Sequence, residues 1–174
     1  MSFSSCPDLT TRNFVREREA GMLLESRNAV VYGAGGALGS AVSRGFACEG
    51  AAVFLTGRRL APLDEVVTKI LVAGGTAETA VVDANAEQAV EEHAQTVVDR
   101  AGSLDISINL IGVDHIQGRP LVDLSPSDFT LGLEARIRTH FVTARAAARH
   151  MVRQRAGARS SWLRQLPTAS PFRT

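Results

Sequence analysis

The chain has 174 residues, of which 45% are hydrophobic, and 19 basic against 18 acidic side chains leave a formal net charge of +1. That length suits one domain with a core of its own, and the near-neutral balance excludes a global preference for nucleic acid or an anionic membrane surface. Residues 1–21 carry Arg12, Arg16, Glu17, Arg18 and Glu19 and no long apolar run, so neither a secretory signal nor a membrane span is predicted. They read as a disordered extension, or the product of a mis-assigned start, ahead of a natural beginning at Met22. Two cysteines, Cys6 and Cys48, do not make a disulfide framework; Cys48 reads as a small buried hydrophobe, and a reducing, cytoplasmic location is expected.

The first predicted strand, 28–32, runs into Gly33-Ala34-Gly35-Gly36-Ala37-Leu38-Gly39 and out into a helix at about 37–49. These residue types suit a dinucleotide. Gly33 allows a tight turn, Gly35 and Gly36 let backbone N–H groups approach a pyrophosphate, and Gly39 lets the helix lie close to the strand. The helix N-terminus then faces the phosphates. Ordinary βα turns also use such glycines, so the following elements carry the assignment. A second strand is expected at 51–56, then a helix with Leu63, Val66, Val67, Ile70 and Leu71 on one face, ending at Gly74-Gly75. A third strand at 79–82 precedes Asn85-Ala86-Glu87-Gln88, read as a capping box opening a helix with Val90, Ala94, Val97 and Ala101 inward; a fourth strand is expected at 105–110. Alternating strands and helices predict an α/β fold, a doubly wound parallel sheet of Rossmann type that stops after about four strands. Ser125-Pro126-Ser127-Asp128 then starts a last helix, on which Phe129, Leu133, Ile137, Phe141, Ala144 and Ala148 recur at helical spacing and are expected to face the sheet and a partner subunit.

In this order the motifs resemble the short-chain dehydrogenase/reductase family over residues 22–155. Residues 32–39 are similar to its Thr-Gly-x-x-x-Gly-x-Gly turn, with Tyr32 for the threonine and Ala37 for the middle glycine. Val82-Asp83-Ala84 resembles its short acidic motif beside adenine, and Asn109-Leu110-Ile111-Gly112 its Asn-Asn-Ala-Gly segment. The resemblance implies hydride transfer between a nicotinamide dinucleotide and a carbonyl or alcohol substrate, and a homo-oligomer. It also implies cofactor contacts from Gly33, Gly35, Gly36, Ala37, Leu38, Gly39, Asp83, Ala84, Asn109, Ile111 and Gly112. After the second strand, Thr56-Gly57-Arg58-Arg59 offers no carboxylate for a ribose 2′-OH, whereas Arg58 suits a 2′-phosphate; NADP is favoured over NAD.

The resemblance also implies a catalytic tyrosine, a lysine four residues later and a serine. Here the sole tyrosine is Tyr32 in the phosphate turn, the sole lysine is Lys69, and Arg136 falls where an assisting asparagine is expected, so no catalytic residue is assigned. The expectation is a cofactor fold without its reaction centre; the alternative is a non-catalytic nucleotide-binding or interaction fragment. Residues 156–174 show neither strand alternation nor a helical face. A one-base shift of permitted codons there spells Val-Ile-Leu-Ala-Ser-Ala-Thr-Ala, which suits the family's serine strand, so the tail is read as irregular and frame-shifted. From Arg136 onward there are nine arginines and no acid. With no interleaved aromatics in the tail apart from Trp162 and Phe172, and no recognised motif, these read as a solvated face rather than a nucleic-acid or membrane surface. His93, His115, His140 and His150 show no metal-ligand spacing, and of these His115, just past the fourth strand, is the candidate for a substrate contact.

Overall fold

The computed structural model describes residues 22–112, 120–154 and 159–160, the last pair by backbone alone. Its elements run β1 (Asn28–Tyr32), α1 (Ala37–Cys48), β2 (Ala52–Gly57), α2 (Leu60–Val72), β3 (Thr76–Val81), α3 (Glu87–Ala101), β4 (Ile106–Asn109), a short 3-10 turn (Leu121–Asp123), α4 (Pro126–Arg153) and β5 (Arg159–Ser160). The described strands pair in parallel in the order β3-β2-β1-β4-β5. The chain steps from β1 outward to β3 and then returns to the other side of β1. The loops after β1 and β4 therefore diverge, and a crevice opens at their carboxyl ends.

A strand buried on both faces must be apolar at nearly every position, because successive side chains point to opposite sides. In β1, Ala29 and Val31 pack with Val53, Leu55, Leu63, Val66 and Ile70. Val30 and Tyr32 pack with Phe54, Val90, Ala94, Val97, Val142 and Ala146. One core thus lies under α1 and α2, the other under α3 and α4.

Several expectations change. The third strand begins at Thr76, where pairing with Ala52 recruits it, and ends at Val81. Leu71 is 54% exposed, because the buried stripe of α2 is Leu63, Val66 and Ile70. The capping box does not form: Ala86 is the N-cap of α3, with no side-chain cap, and the Asn85 amide turns back to Asp83. The start of α4 is as expected, with Ser125 Oγ accepting the Asp128 N–H at 3.1 Å. Its large apolar residues do not face the sheet. Phe129, Leu133, Ile137 and Phe141 are exposed, and the buried face is Thr139, Val142, Thr143, Ala146, Ala147, His150 and Met151. Cys48 is half-buried rather than fully buried. Two residues of the stretch read as irregular, Arg159 and Ser160, pair with Ile106 and Ser107 and add a fifth strand to the expected four. The rest of that tail, the 1–21 extension and His115 lie outside the described residues.

At the amino ends of the strands a polar knot fixes the return from α3. The Asp105 carboxylate accepts the Asn28 N–H at 3.0 Å and the Ser103 hydroxyl at 2.8 Å, and pairs with Arg27 at 3.4 Å. Asn28 Nδ2 donates to Ser103 Oγ and to the Ala101 carbonyl. Hydrogen bonds to a charged acceptor contribute more than neutral ones, and their loss strands the donors. Asp105→Ala is expected to cost about 2 kcal/mol, read as a lowered urea midpoint with an unchanged slope.

Candidate dinucleotide site

At the end of β1 the backbone reverses through Gly33 at φ 81°, a left-handed value that glycine adopts without penalty. The N–H groups of Gly33 and Ala34 donate to the Thr56 carbonyl at 2.9 and 3.1 Å, stapling the turn to the end of β2. Space is as restrictive as the dihedral: a Cβ on Gly33 would lie 2.8 Å from the Leu110 carbonyl, and one on Gly39 would meet Ala34 Cα at 2.7 Å and the Gly33 carbonyl. Gly36 caps α1 without a side-chain hydrogen bond, and the first turn carries no acid. The positive end of the helix dipole and its free N–H groups are therefore available to an anion.

Arg58 and Arg59 follow β2. After β3, Asp83 Oδ1 accepts both the backbone N–H and the side-chain amide of Asn85, each at 3.0 Å. The Asn85 backbone bond holds the Asp83 carboxyl below its usual range; desolvation opposes it, and the Asn85 amide and the Arg58 charge reinforce it. After β4, Asn109 Oδ1 accepts the Ile111 N–H at 3.0 Å, and its amide reaches Thr143 Oγ1 at 3.4 Å.

These loops enclose an open cleft of about 740 Å³, a size that suits a dinucleotide. Of the predicted residues, Gly33, Gly35, Gly36, Arg58, Asp83, Ala84, Ile111 and Gly112 line it together. The other four are not among its lining residues. Ala37 and Leu38 are exposed at the start of α1, Gly39 is buried behind the turn, and Asn109 braces the loop after β4. The sequence reading missed Pro62, Asn85 and the α4 residues Leu131, Ala135 and Thr139. Asn85 had a signal, because Asp-x-Asn favours an Asx turn. The α4 residues recur every fourth position, on a face that reasoning from side-chain size passed over.

Tyr32 is buried beneath the cleft, and burial together with the nearby Glu91 charge pushes its hydroxyl above the ordinary range. Lys69 is exposed on α2. Neither is arranged as a general acid or base. Among the described residues no cluster suits a metal ion, and no helix is long and apolar enough to cross a membrane.

The short chain dehydrogenase family profile matches residues 27–158. Gluconate 5-dehydrogenase from Gluconobacter oxydans is 31% identical over 129 residues, covering 74% of this chain and 50% of its own. A dehydrogenase/reductase structure from Sinorhizobium meliloti has a TM-score of 0.68 at 32% identity, over 78% of this chain and 53% of its own. A metagenomic short-chain oxidoreductase solved in complex with NADP has a TM-score of 0.67 at 28% identity, over 77% and 60%. The chain spans half the length, or less, of the curated relatives it matches. With the glycine turn, the uncapped helix and the acidic turn after β3 in their places, the chain belongs to the short-chain dehydrogenase/reductase family.

Proposed function

We propose that the cleft binds NADP(H) and serves an oxidoreductase acting on a carbonyl or alcohol substrate, and that residues 1–174 alone bind the cofactor without turning it over. The observation that carries this reading is the Gly33–Gly36 turn, which opens the uncapped N-terminus of α1 onto a cleft that also contains Arg58 and Asp83. In it, the turn and α1 hold the pyrophosphate, Arg58 takes the 2′-phosphate, Asp83 and Ala84 flank adenine, and Ile111 and Gly112 border the nicotinamide half. Nicotinamide supplies the hydride chemistry when bound. This chain contributes binding, orientation and a wall against water; with no Tyr-x-x-x-Lys in it, no group is placed to move the substrate proton. The NADP complex of the metagenomic relative supports the nucleotide class. The exposed apolar stripe Phe129, Leu133, Ile137 and Phe141 supports self-association, as expected of a homo-oligomer.

Fluorescence titration tests the reading. NADPH binds, and Arg58→Ala weakens it about tenfold while leaving NADH within about twofold, because only NADPH loses a charge-assisted contact. Failure of both dinucleotides to bind overturns the site, and equal loss for both overturns the preference. Turnover of any carbonyl substrate by this chain overturns the statement that it binds without catalysis.

A further inference from the structure

Tyr32 occupies a junction that the binding reading leaves without a role. Its ring is 2% exposed and packs in one cluster with Val82 and Ala84, the two residues that flank Asp83. Its carbonyl accepts the Leu110 N–H at 2.8 Å, and its neighbour Gly33 is bonded to Thr56, so its backbone ties the ends of β1, β2 and β4 together. The turn at 82–85 hangs from the Val82 N–H, which donates to the Gly57 carbonyl at 3.0 Å, and otherwise rests on the apolar surface beneath it. Tyr32 is also part of the cleft wall. The same side chain therefore underlies the acidic turn while its backbone begins the phosphate turn.

The geometry points to Tyr32 as a positioning residue for the adenine half of the dinucleotide: its ring is the floor that sets the distance between the Gly33–Gly36 turn and the 82–85 turn. The role belongs to the ring, since close packing transmits a void to whatever rests on it. Asp83 keeps its local Asx turn in any event, so removing the ring loosens the placement of that turn without dissolving it. This inference rests on the reading of the cleft as a dinucleotide site.

The test uses the full chain and adenosine bisphosphate carrying the 2′-phosphate as the probe, with calorimetric titration at a temperature where each variant remains folded. Tyr32→Phe is expected to bind the probe within about twofold of wild type, and Tyr32→Val about tenfold more weakly. Hydrogen exchange separates positioning from general destabilisation. In Tyr32→Val the Val82 amide exchanges about tenfold faster, whereas the Ala52 and Asp105 amides at the opposite ends of the strands keep their protection. If Tyr32→Val does not fold, Val82→Ala trims the same contact from above and is expected to weaken the probe about fivefold. A folded Tyr32→Val or Val82→Ala that binds within twofold of wild type overturns the proposal, as does uniform acceleration of all three amides. Wild type that fails to bind the probe overturns the dinucleotide reading itself, and this proposal with it.

Discussion

Gly39→Ala is expected to destabilise the protein by about 3 kcal/mol, although it adds a single methyl group to a helix. The added carbon would collide with the Gly33 carbonyl and approach Ala34 Cα at 2.7 Å. Both obstacles are backbone, so neither can rotate aside. Relief requires α1 to withdraw from the turn, which breaks the staple from Gly33 and Ala34 to Thr56 and lowers dinucleotide affinity together with stability. Gly33→Ala is expected to be comparable, because it combines a left-handed dihedral with contact at 2.8 Å to the Leu110 carbonyl. Two other glycines supply the contrast. A Cβ on Gly36 meets nothing closer than 3.5 Å, so Gly36→Ala costs about 1 kcal/mol or less, mainly through the helix cap. Nothing lies within 4 Å of a Cβ on Gly45, inside the same helix, and Gly45→Ala stabilises by roughly 0.5 kcal/mol. Urea midpoints for the four variants should therefore split into two large losses, one small loss and one gain. A Gly39→Ala midpoint close to that of Gly36→Ala would refute the close approach of helix and turn.

The legible parts of this fold were those in which a residue type has few physical alternatives. Gly33 and Gly39 could be read because no other side chain fits their dihedral or their space, and β1 because a strand buried on both faces is apolar throughout. The edge strand β3 was clipped because Thr76-Ala77-Glu78-Thr79-Ala80-Val81 is half-exposed and its polar residues disguise the ladder with β2. Size misled the reading of α4. Its large residues Phe129, Ile137 and Phe141 point outward, while the face on the sheet is built mainly of threonine, alanine and valine, with His150 and Met151 at its end.

The candidate site divided along the same lines. Gly33, Gly35, Gly36, Arg58 and Asp83 met in one cleft because strand ends deliver them there by topology alone. Leu131, Ala135 and Thr139 reach it from α4, and that depends on the rotation of a helix about its axis, which the stripe of large residues misassigned. Asn109 illustrates a further limit. Its position at a strand end was readable, but its use as a brace for Ile111 and a partner of Thr143 follows from a side-chain rotamer that no sequence pattern encodes.

Acid should weaken this fold through His93, and by a large amount for one side chain. His93 lies on α3 with its ring edge-on to Tyr32, centroids 6.5 Å apart, beside a small cavity of about 40 Å³ that Phe54, Val97 and Arg100 also line. Its Nδ1 has no hydrogen-bond partner among the described residues, and burial pushes its pKa down from 6.5 to about 4. The folded state therefore keeps the imidazole neutral at pH values where the unfolded chain already binds a proton. Between those two values the unfolded state holds more protons, so stability falls as pH drops from about 6.5 to about 4 and levels off below. The depression corresponds to about 3 kcal/mol at full extent. His140 and His150 are lowered in the same direction by burial and by Arg136 and Arg153, so the wild-type curve contains more than one contribution. His93→Phe isolates the one of interest: it preserves an aromatic edge against Tyr32, uses the adjacent cavity for its extra volume, and removes the buried unpartnered nitrogen. At pH 7 its urea midpoint should equal or exceed that of wild type, since an apolar ring replaces a polar atom without a partner. By pH 4 the gap between the two should widen by about 3 kcal/mol. Parallel curves for the two proteins across that range would mean that His93 titrates as in the unfolded chain, and that the Tyr32–His93 contact is not held in solution.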